Sequence, residues 1–91
     1  MALYQILYWK DIPAQVRASQ QGGRPISRQL AERFQQEIDA RAMREGLAGS
    51  DEYLEHWRWT EKRDRPGAPE EVLEAIVREL EQDPQLHLES D

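Results

Sequence analysis

Residues 3–18 read Leu3-Tyr4-Gln5-Ile6-Leu7-Tyr8-Trp9-Lys10-Asp11-Ile12-Pro13-Ala14-Gln15-Val16-Arg17-Ala18. The first seven are apolar or aromatic except for Gln5. Side chains alternate along an extended chain, so Tyr4, Ile6 and Tyr8 share one face and Leu3, Leu7 and Trp9 the other. Apolar residues on both faces mark a central strand. The run stops at Lys10-Asp11, and Ile12-Pro13 suits a short turn. Beyond it, Ala14, Val16 and Ala18 alternate with Gln15, Arg17 and Ser19, the pattern of a second strand polar on one side. The two strands are predicted to pair as an antiparallel hairpin.

Working outward, residues 20–25 contain Gly22-Gly23 and read as a loop. Ser27 suits an N-cap. Leu30, Phe34 and Ile38 recur every four residues with Ala31 and Ala42 beside them, which predicts an amphipathic helix over 27–45. Gly46 and Gly49 end it. Ser50-Asp51-Glu52 can start a short second helix carrying Tyr53 and Leu54. From Trp57 the period falls to two, predicting a strand over 57–63. After the turn at Arg65-Pro66-Gly67, Pro69 fits the first position of a helix. Glu70 and Glu71 suit its positive end. Val72, Leu73, Ile76, Val77 and Leu80 form its apolar stripe. The expected class is α+β, a small, mainly antiparallel sheet of about three strands packed by two main helices, in the order β-β-α-(short α)-β-α. Residues 1–84 are expected to form one domain and 85–91 a flexible tail. Leu3, Ile6, Phe34, Ile38, Leu54, Trp57, Ile76 and Leu80 are the expected core.

The chain has 91 residues and no cysteine, which excludes disulfides, thiolate metal sites and a cysteine nucleophile. Its net charge is −6. Residues 1–49 carry seven Lys/Arg and five Asp/Glu, whereas residues 50–91 carry five and thirteen. The acidic balance disfavours general nucleic-acid binding, which draws its affinity from phosphate neutralisation. No apolar run approaches the length of a membrane span. A cytoplasmic protein is expected, with no cofactor.

Catalytic chemistry finds no constellation in these residues. His56 and His87 lie far apart; His56 shares i, i+4 spacing only with Glu52, a sparse beginning for a metal site. Ser27 and Ser50 are assigned to caps, and no nucleophile elbow surrounds any serine. Glu70, Glu74 and Glu81 read as a solvated helix face rather than as acid–base groups. Gly22-Gly23-Arg24 is too short to cradle a phosphate. No enzymatic role is therefore expected. The stretch from Trp57 to Arg65 mixes aromatic and basic side chains that can stack on rings and hold an anion. Its competing reading places Trp57 and Trp59 in the core with Arg58 and Lys62 solvated.

Four blocks in order carry a resemblance. They are Tyr8-Trp9-Lys10-Asp11-Ile12-Pro13-Ala14-Gln15-Val16, Leu30-Ala31-Glu32-Arg33-Phe34, Glu37-Ile38-Asp39 through Ala42-Met43-Arg44, and Asp51-Glu52-Tyr53-Leu54-Glu55-His56-Trp57-Arg58. Over residues 4–59 the chain resembles the small bacterial "virulence factor" domain family. The family label names a phenotype and implies no catalytic residues. Some larger proteins carrying this domain join it to a NifU-like iron–sulfur scaffold segment and to HEAT-like helical repeats. The resemblance thus implies an accessory role beside metalloproteins.

The expected function is a non-enzymatic accessory protein that docks on a larger protein partner, a metal-containing one being what the resemblance implies. The expected surface comprises Tyr8, Trp9, Arg17, Arg33, Arg58, Trp59, Lys62 and Arg63, provided that one sheet face is uncovered. The alternative is a small binding module for an anionic or aromatic ligand at the strand from Trp57 to Arg65. The charge asymmetry between the halves further predicts weak, salt-sensitive self-association.

Overall fold

The computed structural model describes residues 1–88. Strands β1 (Ala2–Trp9) and β2 (Ile12–Gln20) form the expected antiparallel hairpin. Its turn is Lys10-Asp11, with Lys10 at φ 56°, in the left-handed region. Ile12 and Pro13, expected in the turn, instead begin β2. A two-residue loop matches the twist of the flanking strands. The register slips between Leu7 and Tyr8, opposite Pro13. A bulge is where a strand tolerates a residue that has no N–H to donate.

The strand β3 (Ile26–Gln29) pairs antiparallel with β2 and forms one edge of the sheet. It replaces the first turn expected of the long helix. Ser27 lies opposite Arg17 in the ladder and caps nothing. The outer edge of β2 would otherwise leave its backbone groups unpaired. Helix α1 therefore starts later, at Glu32, and runs to Arg44. Its N-cap residue, Ala31, has no side-chain cap, but its N–H donates to Glu81 Oε2 at 3.2 Å.

Helix α2 (Asp51–Glu55) is capped as expected by Ser50, whose Oγ accepts from the Tyr53 N–H. The single strand expected over 57–63 is two short strands, β4 (Trp57–Trp59) and β5 (Arg63–Arg65). Both pair with β1, at residues 7–9 and 2–4 respectively. Thr60 holds the break between them to the sheet. Its N–H donates to Ile6 O at 2.9 Å, and its Oγ1 accepts from the Ile6 N–H at 3.0 Å. Helix α3 (Pro69–Gln82) follows, with Pro69 in its first turn. The sheet thus has five strands, in the order β3-β2-β1-β4 with β5 also on β1.

The core lies between one face of this sheet and the helices α1 and α3. Tyr4, Ile6, Tyr8, Val16 and Ala18 face Phe34, Ile38, Val72, Leu73, Ile76 and Leu80. Five of the eight expected core residues are buried there: Ile6, Phe34, Ile38, Ile76 and Leu80. Trp57 packs half-buried against the cluster. Leu3 is half-buried on the opposite face, and Leu54 is 65% exposed because α2 is too short to bury a second side.

The segment 85–88 turns back against the sheet instead of leaving it. Leu88 packs on the core, and Arg63 Nη1–H donates to His87 O at 2.9 Å. His87 Nε2 lies 2.8 Å from Glu79 Oε1, and Arg65 grips the same carboxylate through both Nη atoms. The rest of the expected tail, 89–91, lies outside the described residues.

Candidate functional site

Helices cover one face of the sheet, so the other depends on its own side chains. Register places Leu3, Gln5 and Leu7 of β1 beside Ser19, Arg17 and Gln15 of β2, with Trp59 of β4 opposite Leu7. All seven are half-buried. One end of this face is closed. There Trp9 is fully buried under α2, its indole N–H donating to Tyr53 O at 2.9 Å and its ring 5.7 Å from those of Tyr53 and His56. From Leu7 to Leu3 it is half-buried and open between two borders, with Glu32 and Gln35 of α1 beside Leu7 and the loop residues Gly23 and Pro25 beside Leu3.

A chain of polar contacts organises the centre. Gln5 Nε2–H donates to Thr60 O at 2.8 Å, which turns its carbonyl toward β2. Arg17 Nε–H donates to that Gln5 Oε1 at 2.9 Å. The Arg17 guanidinium then lies 4.0 Å from the centre of the Trp59 ring. Stacking on an aromatic face suits a planar, weakly hydrated cation. Both Nη groups of Arg17 have no partner among the described residues. The result is a guanidinium fork, pinned on one edge and presented on the other.

Two hollows flank this stack. One, of about 530 Å³, lies beside Leu7 and Trp57 and reaches Gln29 and Glu32. The other, of about 240 Å³, lies beside Leu3 and Arg17 and reaches Lys62. Each hollow has a mixed lining, with Leu7 and Trp57 in one and Leu3 in the other as apolar anchors, and the Arg17–Trp59 stack lies between them, residue types that are enriched at protein-docking hot spots.

The eight surface residues expected from sequence are divided by this geometry. Arg17 and Trp59 form the centre of the open face, and Lys62 lines its rim. Tyr8 and Trp9 are not surface residues: they are 5% and 0% exposed. Tyr8 faces the helices by alternation, and α2 lies over Trp9. Arg33 lies on α1, near Phe34, and donates to Glu81 O. Arg58 and Arg63 sit beside Tyr8 and Tyr4 in the register, on the helix side, and line a separate cleft.

Leu3, Gln5, Leu7 and Thr60 belong to the open face and were not singled out as site residues. A signal existed for Gln5. Folding the hairpin about Lys10-Asp11 sets it opposite Arg17, the one pairing of polar side chains that interrupts an apolar strand. Nothing in the sequence marks Thr60 as the anchor of the broken edge.

Other candidate chemistry is absorbed structurally. His56 ends α2 against Trp9, and no cluster of three or more His, Asp or Glu suited to a metal occurs among the described residues. No helix among them is long and apolar enough to cross a membrane. Asp11, in the hairpin turn, is paired with Arg41.

Comparison with curated proteins gave no match, and neither did comparison with solved structures. A family described as "Virulence factor" matches residues 7–88. That match extends past the blocks visible in the sequence and takes in β5, α3 and the returning segment. The chain belongs to the virulence factor family.

Proposed function

We propose that this protein is a non-enzymatic interaction domain that docks through its open sheet face. The observation that carries this is the Arg17–Trp59 stack between two hollows, with both Nη groups unpartnered among the described residues. The chemistry of the partner follows from the face. It is a protein surface presenting a carboxylate to Arg17, flanked by apolar side chains that enter the hollows beside Leu7 and Leu3. A guanidinium held at one edge keeps the geometry for a two-point bond to a carboxylate. Little side-chain entropy is then lost on binding.

A binding role is also supported by how the reactive side chains are used. Thr60 Oγ1 bonds the sheet, Ser50 Oγ caps α2, and His87 pairs with Glu79. A larger, metal-containing partner is what the family resemblance suggests.

The test compares proteins captured from native extract by the parent chain with those captured by Arg17→Ala and by Arg33→Ala. A partner lost with Arg17→Ala and kept with Arg33→Ala supports the docking face, provided both variants melt like the parent. A partner retained equally by all three sinks it.

A further inference from the structure

A cleft of about 340 Å³ opens on the helix side of the sheet, between the β4–β5 edge and the segment carrying His87 and Leu88. Its size is at the small end of ligand pockets. Tyr8 forms part of its lining and is 5% exposed, and its hydroxyl oxygen has no hydrogen-bond partner among the described residues. Buried hydroxyls are nearly always bonded, so an unpartnered one points to a missing partner.

The charges around the cleft are uneven. Lys10, Arg58 and Arg63 line it against one carboxylate, Glu61. Lys10 is paired with Glu45, and Arg63 donates to His87 O. Arg58 is exposed, stands opposite Tyr8 in the β1–β4 register, and its guanidinium makes no contact with a described polar group. Among the described residues lining the cleft, it is the cation left for a ligand. Trp59 and Leu88 supply an apolar wall.

We infer that this cleft binds a small aromatic carboxylate. The Arg58 guanidinium takes the carboxylate, the ring lies against Trp59 and Leu88, and the Tyr8 hydroxyl donates to a ligand oxygen as the exposed Arg58 side chain swings over the anion. One guanidinium fork matches one carboxylate. Glu61 disfavours a dianion such as phosphate. Burial pushes the Tyr8 phenol up to about 12, which keeps it a donor through the neutral range. The site shares Trp59, on the edge strand β4, with the docking face, but its cation and its hydroxyl lie on the other side of the sheet, and it does not rest on that reading.

The probe is benzoate, titrated into isotope-labelled protein and followed by NMR at the Trp59 indole N–H and the amides of residues 58–60 and 87–88. Benzyl alcohol and inorganic phosphate are the comparisons. Saturable shifts confined to these positions are expected, with weaker responses to both comparison compounds. Arg58→Ala should weaken binding about tenfold or more, a loss of about 1.4 kcal/mol. Tyr8→Phe, still cooperatively folded, should also weaken it. Arg28→Ala, on the far edge strand β3 and paired with Glu74, should bind like the parent. No saturable shift at millimolar benzoate overturns the site, as does parent-like affinity in Arg58→Ala. An equal or stronger response to benzyl alcohol or phosphate overturns the ligand class.

Discussion

Tyr8 and Glu79 show how single side chains set the pH range of this fold. Tyr8 is buried, and desolvation raises its pKa from 10.0 to about 12, with Arg63 pulling the other way. A pKa raised on folding contributes stability that is present below about pH 10 and is lost as pH rises toward 12. Denaturant melts at pH 9 and 11 should therefore show a steeper alkaline loss in the parent than in Tyr8→Phe. At neutral pH, Tyr8→Phe should be within about 1 kcal/mol of the parent or more stable, because it removes an unpartnered hydroxyl. A loss well above that would show that the hydroxyl is satisfied.

Glu79 has the opposite sign. Hydrogen bonding from Arg65, and then from His87, holds its carboxyl below the usual value. A depressed pKa contributes stability above the unfolded value, near 4.3, that is lost as pH falls through the folded one. Glu79→Gln should cost about 1 kcal/mol at pH 7, reflecting a half-exposed but two-point pair. The cost should shrink below about pH 4. A cost that is unchanged between pH 7 and pH 3 would place the contribution of Glu79 elsewhere than in its charge.

At the scale of elements, α1 is held to the sheet by Phe34, Ile38 and Ala42. Phe34 is 3% exposed, so Phe34→Ala should destabilise by roughly 3–5 kcal/mol in thermal or chemical unfolding. A variant melting within a degree or two of the parent would contradict this packing. Elements with strong periodicity were legible from the residues: the hairpin from Leu3-to-Trp9 alternation, α3 from Val72, Ile76 and Leu80, and α2 from Ser50. Ser27 misled because its residue type suits a cap, while the unpaired edge of β2 is a tertiary fact that local sequence does not carry. Leu54 misled similarly, since helical spacing cannot say how much neighbouring structure a five-residue helix meets.

The site was legible only in part. An uncovered sheet face was foreseeable, and Arg17 and Trp59 were among its expected residues. Which side was uncovered depended on where α1 and α3 would pack. Both faces of β1 are apolar, so the pattern alone did not choose, and Tyr8 and Trp9 went to the interior. Arg58 and Arg63 were separated from Arg17 by the same alternation, since neighbouring residues on a strand point to opposite sides.

For the whole molecule, charge is less polarised in space than along the chain. Arg28 lies 3.4 Å from Glu74, and Arg33 and Ala31 both donate to Glu81, so the basic half already meets the acidic helix internally. Any self-association should therefore be weak and should fade with salt, as the Debye length falls from about 10 Å at 0.1 M to about 3 Å at 1 M. Light scattering across that range should report a monomer at the high-salt end. A dimer of constant mass would instead indicate an apolar interface, for which the open face around Leu3 and Leu7 is the available surface.

The most direct test of the central claim places a photo-reactive side chain at Gln15, on the open face, and in a second variant at Glu74, on the exposed side of α3. Each is irradiated in native extract at moderate salt. The docking face predicts a discrete covalent adduct with a partner protein from position 15, abolished when Arg17→Ala is added, and none from position 74. Adducts of the same mass and yield from both positions, or one from position 15 that persists with Arg17→Ala, would contradict it.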